Sequence, residues 1–191
     1  MKVTLLFLLI LFLAISTTQT FALDSLPPYQ YKESGWLQNG KLVQDSENIK
    51  LKNKFGAQLW IINDESFFDN WNKPEVPHLP ITKIAIRNKP IFIIILFINP
   101  GLDQKSNANV TADITIKSPD GKIYGDFKDT EIWQRVYHQS PQNTIQLAVD
   151  NLRVMIEDGE QLGKYKVDAV IKDKNKNVIL KLTTNFIAKE K

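Results

Sequence analysis

The sequence predicts an all-β fold, a β-sandwich with a short N-terminal hairpin and one short helix. Three observations carry that expectation. From residue 81 onward, short apolar stretches recur between turn residues, the spacing of a sandwich built from short strands. Two stretches alternate apolar with mostly polar residues, Val110-Ala112-Ile114-Ile116 and Tyr165-Val167-Ala169-Ile171, which marks strands with one buried face. A third, Ile91–Ile98, is apolar throughout and lies between Pro90 and Pro100, as expected of a strand buried on both faces.

Taken in order, the chain begins with Lys2 and an unbroken apolar run from Leu5 to Ile15, and Thr20-Phe21-Ala22 places small residues on either side of Phe21. This is the pattern of a signal peptide cut before Leu23. The run is short of the about 20 apolar residues that span a bilayer, so residues 1–22 are expected to be removed and the mature protein to be periplasmic or secreted, with no stable membrane insertion. Residues 23–80 read as an N-terminal hairpin, the short helix and a proline-rich connector; residues 81–191 read as the sandwich.

In the first of these regions, Asn39-Gly40 between Trp36-Leu37 and Lys41-Leu42-Val43 is the preferred dipeptide of a tight hairpin turn. Ala57–Ile62 is a strand candidate. The spacing predicts a helix over Glu65–Trp71, with Asn63 or Asp64 capping its free first-turn N–H groups and Phe67, Phe68 and Trp71 on one face. Pro74 cannot continue it, and Pro74, Pro77 and Pro80 recur at the three-residue period of an extended polyproline segment, read as a stiff connector.

Within 81–191, Ile81–Ile86 is the first strand, with Ile84 and Ile86 on one face. Ile91–Ile98 follows, its flanking prolines guarding an aggregation-prone run. Pro119-Asp120-Gly121 turns the Val110–Ile116 strand into one carrying Ile123, Gly125 and Phe127. Ile145–Val149 and Leu152–Ile156 are further candidates. The last hairpin pairs Tyr165–Ile171 with Leu180–Phe186 across the turn Asp173–Asn177.

Composition bounds the chemistry. Hydrophobic residues at 43% and charged residues at 24% are ordinary for a globular domain. A net charge of +3 from 24 basic and 21 acidic residues is too weak a bias for nucleic-acid binding. With no cysteine there is neither a disulfide nor a thiol nucleophile. Asn109-Val110-Thr111 matches a glycosylation sequon, which acts only in a eukaryotic secretory route.

No catalytic constellation stands out. His78 and His138 are the only histidines, and no ligand cluster of the kind zinc requires is visible. Asp173-Lys174-Asn175-Lys176-Asn177 places oxygen ligands at alternate positions. It lacks the glycine and the distal acid of a calcium loop, and reads as a solvated turn. Neither metal nor cofactor is expected. Of the four tryptophans, Trp60 and Trp71 suit core packing. Trp133 lies near Arg135 and Tyr137 among polar neighbours, so Trp133, Arg135 and Tyr137 are the candidate binding residues, since Trp, Tyr and Arg dominate binding hot spots.

Two segments carry a resemblance. Ser118-Pro119-Asp120-Gly121-Lys122-Ile123-Tyr124-Gly125 and Leu162-Gly163-Lys164-Tyr165-Lys166-Val167-Asp168-Ala169-Val170-Ile171-Lys172-Asp173 resemble exported bacterial immunoglobulin-like domains. There a Pro-Asp-Gly turn joins two strands and a Gly-x-Tyr-x-Val strand runs into an Asp-containing turn. The resemblance covers Ile81–Ile187 and implies an immunoglobulin-like β-sandwich; it supplies no catalytic residue. The expected function is an exported non-catalytic module binding a protein or glycan. The alternative is a cell-envelope hydrolase using Asp64, Glu65 or Asp69 beside Trp71 as general acid and base. Converging acids would favour the enzyme, and acids spread over an exposed helix the binder.

Overall fold

The computed structural model describes residues 36–38, 41–74, 78–138 and 144–191. The expected signal peptide, the cut before Leu23, the Asn39-Gly40 turn and Pro77 lie outside these residues. The elements run β1 (Leu37–Gln38), β2 (Lys41–Leu42), β3 (Ile49–Lys52), β4 (Phe55–Ile62), α1 (Ser66–Trp71), β5 (Ile84–Ile86) and β6 (Pro90–Ile98). They continue with β7 (Val110–Lys117), β8 (Ile123–Trp133), β9 (Gln146–Leu147), β10 (Leu152–Met155), β11 (Gly163–Asp173) and β12 (Val178–Lys189).

Two sheets face each other. Sheet I has the order β10-β6-β4-β3, with β9 also on β6; sheet II has the order β5-β12-β11-β7-β8. The pairs are antiparallel except β5 on β12, which is parallel. This is an immunoglobulin-like sandwich: β4, β6 and β10 stand as the A, B and E strands, and β7, β8, β11 and β12 as C, C′, F and G. The first strand is split. After β4 the chain leaves sheet I, forms α1, and returns as β5 in sheet II. A second mark of the fold is at the start of β11, where Tyr165 Oη donates to the Gln161 carbonyl at 2.8 Å. That is the tyrosine corner, and Val167 stands where such domains carry their second cysteine.

The core between the sheets follows from alternation. Ile91, Ile93, Ile95 and Phe97 of β6 meet Ala112, Ile114 and Ile116 of β7, and Val167, Ala169 and Ile171 of β11. Tyr165 stacks on Phe186, with ring centroids 5.0 Å apart and planes 5° from parallel. The intervening residues of β6, Phe92, Ile94 and Leu96, are buried too, in a second cluster on the outer face of sheet I. A strand apolar at every position therefore has a cover on each side, as its sequence requires.

The boundary expected between residues 80 and 81 is not where the sandwich begins. β4 pairs with β6 over seven residues, from Gly56↔Ile98 to Ile62↔Phe92, so the preceding region supplies part of sheet I. The reason is in β4 itself, where Phe55, Ala57, Leu59 and Ile61 face the core and would otherwise be solvated. Trp36 is tied to the same sheet. A Cβ added at Gly56 would lie 2.8 Å from Trp36 Nε1 and 3.0 Å from Ile98, so only glycine lets the indole approach the strand.

Other differences are local. In β5 the buried residue is Ala85, while Ile84 and Ile86 are half-buried, and Ile81 makes only an isolated bridge to Ile62. β8 extends past Phe127 to Trp133, and β9 is reduced to two residues. The Asp173–Asn177 turn serves as a clamp. Buried Asp173 accepts from Gly101 N at 2.6 Å and Lys176 N at 3.0 Å, and Lys176 Nζ donates to the Asn99 carbonyl at 2.7 Å. Burial pulls the Lys176 ammonium below its ordinary pKa. Backbone groups thus take the Asp173 carboxylate. Among the described residues no set of three or more His, Asp or Glu is placed to hold a metal.

Candidate functional site: an apolar cleft beneath the short helix

α1 exists because its connection demands a turn and its face demands burial. Asp64 Oδ1 accepts from Ser66 N at 2.9 Å, so Asp64 caps the first turn, one of the two residues expected to do so. No side chain caps from Glu65, at the boundary itself. Phe67 packs on Trp71 with centroids 5.4 Å apart, and Phe68 packs edge-on against Phe92 at 5.2 Å. The helix lies over the outer face of sheet I, where Trp60, Ile62, Ile94 and Leu147 complete the cluster.

The cover is incomplete. Beside the helix lies a cleft of about 470 Å³. Phe67 and Trp71 form its helical wall and Leu96 of β6 lies among its lining residues; Leu79 and Ile145 flank it. Two neutral amides, Asn72 and Gln146, also border it. The volume is that of a small-molecule site, which characteristically is apolar with few polar groups. Among the described residues no lining side chain carries a charge.

The three acids of the hydrolase alternative do not converge there. Asp64, Glu65 and Asp69 are exposed, they lie outside the cleft lining, and Asp64 is engaged as the cap. This is the arrangement of a solvated helix face.

Trp133, Arg135 and Tyr137 are brought together at one end of the core. The Trp133 ring lies 5.9 Å from Phe97 and 5.8 Å from Tyr137, and its Nε1 donates to the Val136 carbonyl at 3.2 Å. Tyr137 is only 7% exposed, and burial raises its phenol pKa. Arg135 reaches Glu131 at 2.5 Å and lies over the Trp133 ring at 6.0 Å. Two of these three side chains therefore pack against the core, and Arg135 alone is exposed.

The cleft escaped sequence reasoning for a definite reason. Phe67 and Trp71 were legible as one helical face, but Leu79 and Ile145 come from irregular segments whose meeting depends on the sheet between them. The usable signal was the surplus of apolar residues in β6, which requires a cover and so a place where that cover can be incomplete.

Fold and cleft define an immunoglobulin-like β-sandwich with an outer-face pocket. Neither a family model nor a curated protein matches the chain. Among solved structures it is similar to a Niemann-Pick type C2 protein from the Japanese carpenter ant, at 15% identity and a TM-score of 0.32, over 56% of this chain and 79% of that one.

Proposed function

We propose that this protein is an exported, non-catalytic binding module that works through the α1 cleft. The observation that carries the reading is the cleft itself, about 470 Å³ bounded by Phe67, Trp71, Leu79, Leu96 and Ile145, within the size range of ligand pockets. Exposed, non-converging acids on α1 support binding over hydrolysis. The N-terminal charge, apolar run and small-residue site support export.

The test is retention of a natural ligand. Protein purified from its own source under native conditions should carry a bound species detectable by native mass spectrometry. Ile145→Trp, which fills the cleft at a position already 45% exposed, should fold normally and lose that species. A species that stays bound in the filled variant would place binding elsewhere.

A further inference from the structure

Resting on the binding reading above, we infer that the ligand of the α1 cleft is a neutral, compact, apolar small molecule with no more than one or two polar groups. Among the described residues the lining holds no charge: five apolar side chains and the amides of Asn72 and Gln146, among which a charged group would lose its hydration without an ionic partner from these residues. Asp64, Glu65 and Asp69, at and within the helix, are exposed and outside the described lining.

Gln146 already contributes to structure: its backbone pairs with Phe97 in sheet I, and its side chain hydrogen-bonds Tyr137. Asn72 follows the last helical residue, and its own backbone N–H is taken by the Asn70 carbonyl. Its exposed side-chain amide is thus the group placed to meet a hydroxyl, carbonyl or amide at the cleft rim.

Size sets the second limit. Filled to the packing density of a protein interior, about 470 Å³ holds roughly 350 Å³ of ligand. That is the scale of a compact molecule of a few rings or a short branched chain.

Two probes that share a skeleton and differ in charge provide the test. N-phenylnaphthylamine is neutral; anilinonaphthalene sulfonate adds one anionic group. The full mature protein should enhance fluorescence of the neutral probe saturably and bind the sulfonate at least tenfold more weakly. Ile145→Asp should weaken the neutral probe at least tenfold while leaving the thermal midpoint within a few degrees. Ile145→Lys should reverse the order of preference.

Phe127, 40% exposed on β8, is the control for adventitious apolar binding, and Phe127→Ser should leave both affinities unchanged. Equal binding of the two probes, indifference to Ile145→Asp, or loss of binding on Phe127→Ser would each overturn the inference. If the native protein retains a charged species that Ile145→Trp releases, the ligand class is wrong and the binding reading stands. If nothing is retained and neither probe binds, the binding reading itself fails.

Discussion

The two sheets present opposite outer faces. Sheet I carries Trp60, Ile62, Phe92, Ile94 and Leu96 beneath a helix. Sheet II carries alternating charges open to water: Lys172 meets Asp113 at 2.6 Å, Lys166 meets Asp168 at 2.8 Å, and Lys128 meets Asp126 at 2.8 Å. Both faces belong to strands whose other side fills one shared core. The contrast teaches that burial on the inner side is common to every strand of a sandwich, whereas the outer side records what else the chain must do. Sheet II gives its outer side to ion pairs. Sheet I uses it to seat a helix and leave a cleft.

A carboxylate placed on each outer face should separate the two sheets most strongly. Ile94→Asp, at a fully buried site, leaves an unpaired charge in an apolar cluster and should cost several kcal/mol, giving insoluble or unfolded protein. Ile179→Asp, on the outer side of β12 and 52% exposed, should change stability by less than about 0.5 kcal/mol. Urea denaturation of both variants checks this, and equal losses would end the distinction.

Next in size is removal of the cover. Phe67→Ala should cost about 3–5 kcal/mol, the range for large aromatic truncations in a packed cluster, and should raise apolar-dye binding because Ile94 and Leu96 lose their shield. A loss below about 1 kcal/mol would mean the helix rests on sheet I without being anchored there.

A smaller effect is expected on sheet II. Asp113→Asn removes the closer of two acidic partners of Lys172 and leaves Asp129 at 3.9 Å; exposed pairs contribute only about 0.2–1 kcal/mol and are screened by salt. The difference from the native protein should shrink as salt rises, whereas that of Phe67→Ala should not.

The smallest effect is an acid and alkaline shoulder. The hydrogen bond from Lys172, with the Asp129 N–H, holds Asp113 below its usual carboxylate value. Ser118, with Lys122, brings Asp120 down to about 2. A carboxyl depressed in the folded state stabilises it fully above the unfolded value, 3.8, and loses that contribution as pH falls through the folded value. The urea midpoint should therefore decline from these groups only below pH about 4. Lys128, raised by Asp126, has the opposite sign: its contribution is complete below 10.5 and lost as pH climbs past it. A midpoint that falls between pH 7 and 5 would implicate other groups.

Much of the fold was legible because periodicity records burial directly. The β11–β12 hairpin, the β7 alternation and the two-sided burial of β6 all follow from residue type at each position. The place of β4 was less legible: Ala57–Ile62 reads as a strand, two residues shorter than observed, and sequence alone does not say that it pairs with β6, because a pairing partner is a property of two distant segments. Trp133 shows the same gap at the site. Its neighbours in sequence are polar, and its neighbours in space, Phe97 and Tyr137, are apolar. Local composition therefore suggested a surface residue where the core ends.

The parallel pairing of β5 on β12 has a consequence for when this protein can fold. Ile84 aligns with Ile187, and Arg87 reaches Glu190, 103 residues further along the chain. Contacts so distant in sequence form late, and topologies that depend on them fold in milliseconds to seconds, well behind helical proteins. Sheet II therefore cannot be completed on a growing chain until β12 is free. A chain stopped at residue 177 keeps β7 and β11 available to pair, yet leaves β5 without its neighbour and the core open where Leu180, Leu182 and Phe186 belong.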